Sequence, residues 1–466
     1  MSKISLNNNT DLNKINTLCL KAIKIIDDNI CLQKKYKDAF NLTKIFYHEI
    51  IQYSTNIILI KNSIYKNSDD LNFPYINSNY ILRPKKIKFT TKNDSFLDNL
   101  NFGLGKKKIF LSRNLHVKKK IFLNLAPKKK LKLNYYSSIN LPDYEYQLET
   151  LKNILKKIMI FLNLKNKIFV DNFINYVKNT INFNKQKDLS PKNSVLIVGS
   201  NMNIENRIVS AKFLQEDTNK VISINHSVYP FYVYNEPVRN IEYSFCSDYI
   251  SYGNFDFSKK IKNKIFFTPK LHFANNDTLN NLPKTKRIKN FELDKNLKYL
   301  YVPNMMNGNI RYGPFRDIED KIYYKFQNDL LNTFQNTMIK IHPKGKKLFF
   351  DQKRLSENVS FEKIYNNYEV YIFDYFSTPF AKAIATNKPI IYFDIGLRNL
   401  EKEVINIIKK RVYYCKIDLN KNLKDQFKKF LINISIKNEK KINLFTEKFL
   451  INKNNENINS IIEKIL

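Results

Sequence analysis

The C-terminal half of the chain contains three short, mainly hydrophobic runs, and each is followed at once by a polar residue. The runs are residues 338–341, 370–373 and 390–393, and the polar residues after them are His342, Asp374 and Asp394. Runs of this length with polar ends are typical of buried strands in a parallel sheet. Because the carboxyl ends of parallel strands lie at one edge of a sheet, we expect these three side chains to share an edge.

The alternation of strand and helix patterns extends over most of the chain after residue 190. The predicted strands are residues 194–199, 221–225, 249–252, 297–303 and 411–417, and the predicted helices are residues 203–217, 317–335, 419–432, 440–451 and 456–465. A polar segment at 274–296 is the expected linker between two series of such elements. Repeated β-α-β units predict an α/β fold with two Rossmann-like domains that face each other across a cleft.

The first 185 residues follow a different pattern. Hydrophobic residues between 10 and 62 recur at helical spacing, which predicts two or three amphipathic helices. Residues 63–100 are rich in Asn, Ser and Asp and are expected to be mainly loop. Between residues 103 and 132 lysine triplets alternate with apolar runs, so this region also offers a basic, apolar surface for an anionic membrane or a polyanionic acceptor.

Composition narrows the class of partner. The 466 residues carry a formal net charge of +37, with 79 Lys and Arg residues against 42 Asp and Glu residues, and ten of the basic residues are arginines. Sites that read a nucleic-acid sequence favour arginine, so the excess of lysine indicates anionic membranes or anionic substrates rather than nucleic acid. The four cysteines are scattered without a CxxC pair, which is typical of a reducing compartment and predicts no zinc site.

The sequence shows no signal for export or membrane insertion. No apolar run reaches the ~18 residues that a bilayer requires. The N-terminus lacks the apolar core of a signal peptide. We therefore expect a cytoplasmic protein. A protein of this kind could also attach peripherally to the inner face of the cytoplasmic membrane.

The predicted helix after the second hydrophobic run provides a candidate binding site. Ser377 or Thr378 is a natural N-cap, and Pro379 suits the first helical position, which needs no amide donor. The unpaired N–H groups and the positive dipole end of such a helix attract a phosphate. Lys340 and His342, at the end of the first run, add hydrogen-bond donors and charge to the same edge.

Several segments resemble motifs of one group of enzymes. Residues 339–343 (IKIHP) resemble a K-x-HP motif, residues 374–378 with 387–392 resemble a D…S-[ST]…P-hydrophobic block, and residues 224–227 (INHS) occupy the place of a QHG turn, with 247–253 similar to the segment after that turn. Over residues 190–400 the chain thus resembles GT-B-type bacterial surface and capsular polysaccharide transferases. These HP-motif glycosyltransferases are related to CDP-glycerol polyol-phosphate transferases. Asn225 and Ser227 depart from the Gln and Gly of the QHG turn.

The resemblance implies a glycosyltransferase that uses a nucleotide-activated sugar in surface or capsular polysaccharide biosynthesis. Its partners would be a nucleotide-sugar donor and a carbohydrate or lipid-linked acceptor. After an N-terminal helical and basic region (residues 1–185), the acceptor domain would be residues 186–285 and the nucleotide-donor domain residues 286–466. No Asp-x-Asp motif is present, so we expect a metal-independent reaction without a cofactor.

The same resemblance suggests roles for individual residues. His226, at the strand end that faces the donor domain, is the candidate catalytic base for the acceptor hydroxyl. The candidate ligands of the donor nucleotide and its phosphate are Lys340, His342, Ser377 and Thr378. Further candidate cleft residues are Asn225, Ser227, Arg311, Tyr312 and Asp374.

Sequence alone leaves alternatives open. A polyol-phosphate transferase of the CDP-glycerol type would share all of these motifs. A non-catalytic basic protein that binds membranes or nucleic acid would explain the lysine excess, but it would not need histidines at matched strand ends. A dinucleotide-binding enzyme is disfavoured, because the chain continues after residues 195–198 as Gly-Ser-Asn-Met-Asn, without G-x-G-x-x-G.

Overall fold

The computed structural model of the chain describes two sheets and the helices around them. The described residues are 12–29, 41–61, 97–100, 108–112, 131–133, 144–164, 168–181, 192–225, 236–253, 269–275, 297–304, 320–341, 352–356, 359–386, 388–397, 400–434, 445, 448–449, 454 and 456–466. Over these ranges the chain forms an α/β fold with largely parallel sheets, as the sequence predicts.

Within these ranges the first sheet has seven strands, in the order β3-β1-β2-β4-β5-β6-β7. The strands are β1 (Leu97–Leu100), β2 (Lys108–Ser112), β3 (Leu131–Leu133), β4 (Ser194–Val198), β5 (Lys220–Ile224), β6 (Asp248–Tyr252) and β7 (Lys270–Ala274). β1 pairs antiparallel with β2 and β3, whereas β2, β4, β5, β6 and β7 pair in parallel. The expectation of a loop is therefore wrong for residues 97–100, because pairing with distant strands outweighs their polar composition.

The second sheet has five strands in the described part of the chain, all parallel, in the order β12-β11-β10-β8-β9. The strands are β8 (Tyr299–Val302), β9 (Thr337–Ile339), β10 (Val370–Phe373), β11 (Ile390–Asp394) and β12 (Tyr413–Lys416). The chain runs from β8 to β9 on one side and then crosses to β10 on the other side of β8. The strand order therefore reverses between β8 and β10, and such a switch point is where open α/β sheets bind ligands.

Helices cover both faces of these sheets. They are α1 (Leu12–Asn29), α2 (Leu42–Ile45), α3 (Tyr47–Lys61), α4 (Tyr144–Phe161), α5 (Ile168–Ile181), α6 (Ile204–Phe213), α7 (Glu236–Ser244), α8 (Asp320–Thr333), α9 (Phe361–Ile364), α10 (Thr378–Ile384), α11 (Lys402–Arg411), α12 (Leu423–Ile434) and α13 (Ile458–Ile465), with short 3-10 turns at Gln352–Arg354 and Tyr365–Asn367. None of these helices combines the length and the hydrophobicity that crossing a bilayer requires.

Burial on both faces explains why the parallel strands are hydrophobic without alternation. Leu196 and Val198 of β4 belong to a core that also contains Phe213 at the end of α6. Val195 and Ile197, on the opposite face, pack with residues of the last helix, α13. The strand is therefore buried whichever way its side chains point.

The N-terminal helices share a hydrophobic core with helices of the first α/β unit. Phe46, Leu151 and Phe173 belong to the same buried cluster as Ile208 of α6 and Phe245, which follows α7. The helices α1 and α3 lie within the region for which the periodicity predicts helices. This region thus packs directly on the helices that cover β4 and β5.

The two halves of the chain are also joined by polar contacts. Nη2 of Arg239 on α7 lies 2.6 Å from Oε1 of Glu401, the residue before α11. The backbone N–H of Asn275, after β7, donates to the Glu456 carbonyl at 2.8 Å. The predicted domain boundaries at residues 185 and 285 stay predictions. Strands β1 to β3 precede the first boundary, and α13 returns to the first sheet after the second.

Gly253, which follows β6, lies against the backbone of Phe449, and Gly396 provides a matched control for this contact. Both residues have a positive φ, +79° and +80°, a backbone conformation that is strained for any residue with a side chain. A Cβ on Gly253 would lie 2.3 Å from the backbone carbon of Phe449, whereas one on Gly396 would meet none of the described atoms within 4 Å. Gly396→Ala should lower the free energy of unfolding by about 1–2 kcal/mol. Gly253→Ala should lower it by about 1–3 kcal/mol more, because the backbone at Phe449 must also move.

Urea denaturation of both variants and the wild-type protein measures this difference. Equal losses for the two variants would show that the segment around Phe449 does not press on the end of β6.

Candidate functional site

The switch point of the second sheet brings several predicted site residues to one edge. Lys340 follows β9, and Asp374 and Ser377 follow β10, so these three predicted residues lie at the carboxyl edge of the sheet. Asn304, which was not predicted, follows β8 and lies at the same edge. β9 and β10 are the two neighbours of β8, about 10 Å apart. Side chains from these loops can therefore reach a single ligand.

Asp374 is the centre of a buried hydrogen-bond network at this edge. The hydroxyls of Tyr301 and Tyr323 both donate to its Oδ2, the second at 2.6 Å. The backbone N–H of Asn304 donates to its Oδ1 at 3.2 Å. Nε2 of Gln327 donates in turn to the Tyr301 hydroxyl at 3.3 Å. Asp374 therefore ties together the ends of β8 and β10 and the helix α8.

Burial raises the pKa of Asp374 to about 6, although the hydrogen bonds from the two tyrosine hydroxyls favour its ionised form. The residue is 1% exposed. A carboxyl group this deeply enclosed acts on its neighbours rather than on a substrate. Asp374, a candidate cleft residue, lies at the predicted edge, and its side chain fixes the loop after β8.

Ser377 begins the helix α10, as its residue type predicts. It has extended backbone angles, and its Oγ accepts a hydrogen bond from the Phe380 N–H at 3.2 Å. Thr378 is the first helical residue, so Pro379 occupies the second helical position and the expectation of the first is wrong by one residue. Ser377 is buried and Thr378 is half-buried.

The far end of α10 is fixed by a buried arginine. Arg411 donates through Nε to the Ile384 carbonyl at 3.2 Å and through Nη2 to the carbonyls of Thr386 and Lys388 at 2.5 and 2.9 Å. Burial lowers the pKa of Arg411 to about 10, still far above neutrality. The charge therefore satisfies carbonyl groups that the short helix leaves free.

Lysines in the predicted motifs have different surroundings. Lys340 is buried, and its backbone N–H donates to the Tyr301 carbonyl at 2.8 Å. Lys388, in the block before β11, donates through Nζ to the carbonyls of Tyr365 and Tyr368 at 2.8 and 2.5 Å. Lys388 thus stabilises the turn before β10, while Lys340 lies at the carboxyl edge.

A second buried carboxyl group holds the carboxyl edge of the first sheet. Glu242 on α7 accepts hydrogen bonds from the Ser200 hydroxyl at 2.5 Å and from the Asn201 N–H at 3.1 Å. Nδ2 of Asn201 donates to the Glu242 carbonyl at 3.0 Å. Burial raises the pKa of Glu242 to about 7, against these hydrogen bonds. The loop after β4 is therefore fixed by a group that titrates near neutrality.

Arg207 connects that loop to the N-terminal helices. It is fully buried, and its Nη1 donates to the carbonyls of Asn201 and Met202 at 2.8 and 3.0 Å. Its Nε donates to the Ile45 carbonyl at 2.7 Å, and its Nη2 contacts both carboxylate oxygens of Glu49 at 2.5 and 2.6 Å. Although burial opposes ionisation, the Arg207 charge lowers the pKa of Glu49. The N-terminal helices thus help to set the shape of this edge.

The remaining predicted residues of the first edge are described only in part. Asn225 follows β5, is buried, and donates through its backbone N–H to the Ile250 carbonyl at 2.9 Å. Its neighbours His226 and Ser227 lie outside the described residues. So do Arg311, Tyr312 and His342 of the second edge. Among the side chains that are described, no three His, Cys, Asp or Glu residues group as a metal site requires.

The chain matches the family model described as LIC12162 family transferase over residues 26–410, from within α1 to within α11. The chain belongs to the LIC12162 family of transferases. No curated protein and no solved structure matches significantly. Membership supports a transferase activity, and the match includes the helices α2 to α5 and every described strand except β12.

The buried hydrogen-bond networks of Glu242 and Arg207 in this transferase were not predicted from the sequence. Glu242 lies in the helix α7, which the sequence analysis did not predict, because the helix is short and carries Pro237 near its start. A charged residue among Ile241, Tyr243 and Phe245 was the available signal of a buried carboxylate. Arg207 gave no comparable signal, since its partners come from another region of the chain.

Replacing Glu242 by Gln should make stability less dependent on pH. The folded-state pKa of Glu242 is about 7, above its ordinary value of 4.5, so its carboxyl group stabilises the fold fully below pH 4.5. That contribution, about 3 kcal/mol, is lost as the pH rises through 7. We expect the free energy of unfolding of Glu242→Gln, relative to wild type, to increase between about pH 5 and about pH 8.

Urea denaturation across this pH range provides the measurement. Glu463→Gln removes an exposed glutamate from α13 and is the matched control for the loss of one carboxylate. Parallel pH profiles for Glu242→Gln and wild type would contradict the assignment.

Proposed function

We propose that the chain is a metal-independent glycosyltransferase of the GT-B type that uses a nucleotide-activated sugar to build a surface or capsular polysaccharide. The observation that carries the proposal is the switch point between β8 and β10, where Lys340, Asp374 and Ser377 converge on the carboxyl edge of a parallel sheet. Family membership supports the transferase class, and the motif resemblance supports the finer assignment.

In this proposal the donor phosphate lies at the carboxyl edge of the second sheet. The buried Lys340 and the adjacent His342 supply positive charge and hydrogen-bond donors from the end of β9. Ser377 shapes the start of α10, and Thr378 presents the first turn of that helix to the phosphate. As the bond to the transferred sugar breaks, charge develops on the leaving phosphate, and fixed donors stabilise it without reorganisation.

The acceptor lies at the carboxyl edge of the first sheet. His226 directly follows Asn225 at the end of β5 and is the proposed base for the acceptor hydroxyl. Hydrogen bonds from Ser200 to Glu242 and from Arg207 to the Asn201 carbonyl fix the neighbouring loop after β4, on this side of the proposed site. The C-terminal helix α13 and the Arg239–Glu401 pair link the two halves, as a reaction between two sheet edges requires.

The large excess of lysine supports a polyanionic or membrane-associated acceptor. A polyol phosphate could take the place of the sugar as the transferred group, because the same phosphate chemistry serves both. The choice of activated donors in the experiment below separates these two reactions.

Binding and turnover should separate the two histidines. His342→Ala should weaken binding of the preferred nucleotide by about 10- to 100-fold, because a charge-assisted hydrogen bond to phosphate is lost. His226→Ala should leave that affinity nearly unchanged and lower turnover by about 10²- to 10⁴-fold, as expected for a general base. Calorimetric titration with CMP, CDP, UDP and GDP, followed by turnover with UDP-glucose and CDP-glycerol, measures both effects.

Lys428→Ala is the control, because it removes an exposed cation from α12, away from both sheet edges. Tight nucleotide binding by His342→Ala together with weak binding by His226→Ala would reverse the donor and acceptor assignments. If no nucleotide binds the wild-type protein, the proposed function is wrong.

A further inference from the structure

Asn304 is held at the switch point by buried groups from two separate elements. Its backbone N–H donates to the Tyr323 hydroxyl at 2.9 Å and to Oδ1 of Asp374 at 3.2 Å. Tyr323 belongs to α8 and Asp374 to the end of β10, so one peptide group is fixed from two directions. Both side chains are almost completely buried, which makes the position of Asn304 well determined.

The side chain of Asn304 is not satisfied within the protein. Its Oδ1 is buried, and within the described part of the chain no group donates a hydrogen bond to it. Buried polar atoms of folded proteins are nearly always paired, because leaving one unpaired destabilises the fold. Asn304 as a whole is only partly buried, so a rotation of its side chain can bring Oδ1 to the proposed donor site, where a donor group of the ligand would satisfy it.

The neighbours of Asn304 restrict the chemistry of that ligand group. An amide oxygen accepts hydrogen bonds, so its partner must carry an O–H or N–H group. Ionised phosphate oxygens carry none, so the partner of Oδ1 is a group of the ligand other than its phosphates. In a nucleotide-activated donor, hydroxyl groups flank the phosphates on both sides, on the ribose and on the transferred group, while the base lies farther away.

We propose that Asn304 is a donor-binding residue whose Oδ1 accepts a hydrogen bond from a hydroxyl group of the nucleotide-activated donor, and that Tyr323 and Asp374 are positioning residues that act through its backbone. This assignment rests on the proposed function, since it names a further contact of the same donor site. It adds a hydroxyl-recognising group to an edge for which phosphate ligands alone were expected.

Calorimetric titration tests the contact. The ligands are CDP, UDP and GDP, their 2′-deoxy counterparts, UDP-glucose and CDP-glycerol. Asn304→Ala should weaken binding by about 5- to 10-fold, as expected for one neutral hydrogen bond. Asn332→Ala, which removes an exposed asparagine from the same half of the chain, should bind like wild type.

The ligand set distinguishes the two sources of the hydroxyl. For a ribose hydroxyl, wild type binds the ribonucleotide about 5- to 10-fold more tightly than its 2′-deoxy form, and this preference disappears in Asn304→Ala. For a hydroxyl of the transferred group, the loss occurs with UDP-glucose or CDP-glycerol and not with the free diphosphates. An equal loss for all ligands, including 2′,3′-dideoxynucleoside diphosphates, which carry no ribose hydroxyl, overturns the assignment to a hydroxyl.

The positioning role has its own test. Tyr323→Phe should weaken donor binding in the wild-type background and should have no further effect in the Asn304→Ala background, because it acts through Asn304. Additive effects would overturn the positioning role. Thermal unfolding of each variant confirms that it is folded. Asn304→Ser, which retains a small polar side chain, should show the same loss as Asn304→Ala.

The failure of this inference is distinct from the failure of the proposed function. If wild type binds a nucleotide and Asn304→Ala binds every ligand as tightly as wild type does, the role of Asn304 is wrong and the proposed donor site is unaffected. If wild type binds none of the nucleotides, the donor site itself is wrong.

Discussion

Burial on both faces is the constraint on which this structure depends. Helices cover the two faces of each parallel sheet, so the strands carry hydrophobic side chains on both sides and polar groups collect where strands end. The second sheet adds a reversal of strand order between β8 and β10, which opens one place at its carboxyl edge. The donor and acceptor sites that we propose lie at that edge and at the corresponding edge of the first sheet.

Each edge is held by one buried carboxyl group. Asp374 fixes the loop after β8 through Tyr301, Tyr323 and the Asn304 N–H, and Glu242 fixes the loop after β4 through Ser200 and Asn201. Burial raises the pKa of both groups toward neutrality, which shows that desolvation outweighs their hydrogen bonds. Rigid loops are what a transferase needs to orient two substrates.

The N-terminal helices belong to this scheme. Arg207 reaches from the loop after β4 to the Ile45 carbonyl and the Glu49 carboxylate, and it is fully buried. Removing either partner of such a pair would leave an uncompensated charge in the core. The region before residue 185 therefore supports the edge of the first sheet. The family match, which begins at residue 26, includes it.

Elements with local signals could be predicted from the sequence alone. The strands at 370–373 and 390–393 and the cap at Ser377 depend on neighbouring residues, so periodicity and side-chain type were enough to predict them. The convergence of Lys340, Asp374 and Ser377 also followed, because parallel strands present their carboxyl ends together. Even here the local signal was coarse, since Pro379 lies one residue deeper in the helix than predicted.

Which distant groups meet was settled by tertiary packing. Arg207 and Glu49 are 158 residues apart in the chain, and Tyr301 and Asp374 are 73 apart. No periodicity encodes such pairs, because burial of a charge depends on segments that pack from elsewhere. The same reason explains the pairing of β1 with β2 and β3, the return of α13 to the first sheet, and the unpaired oxygen of Asn304. Local sequence placed polar residues at the strand ends, and long-range packing determined which of them hold the fold.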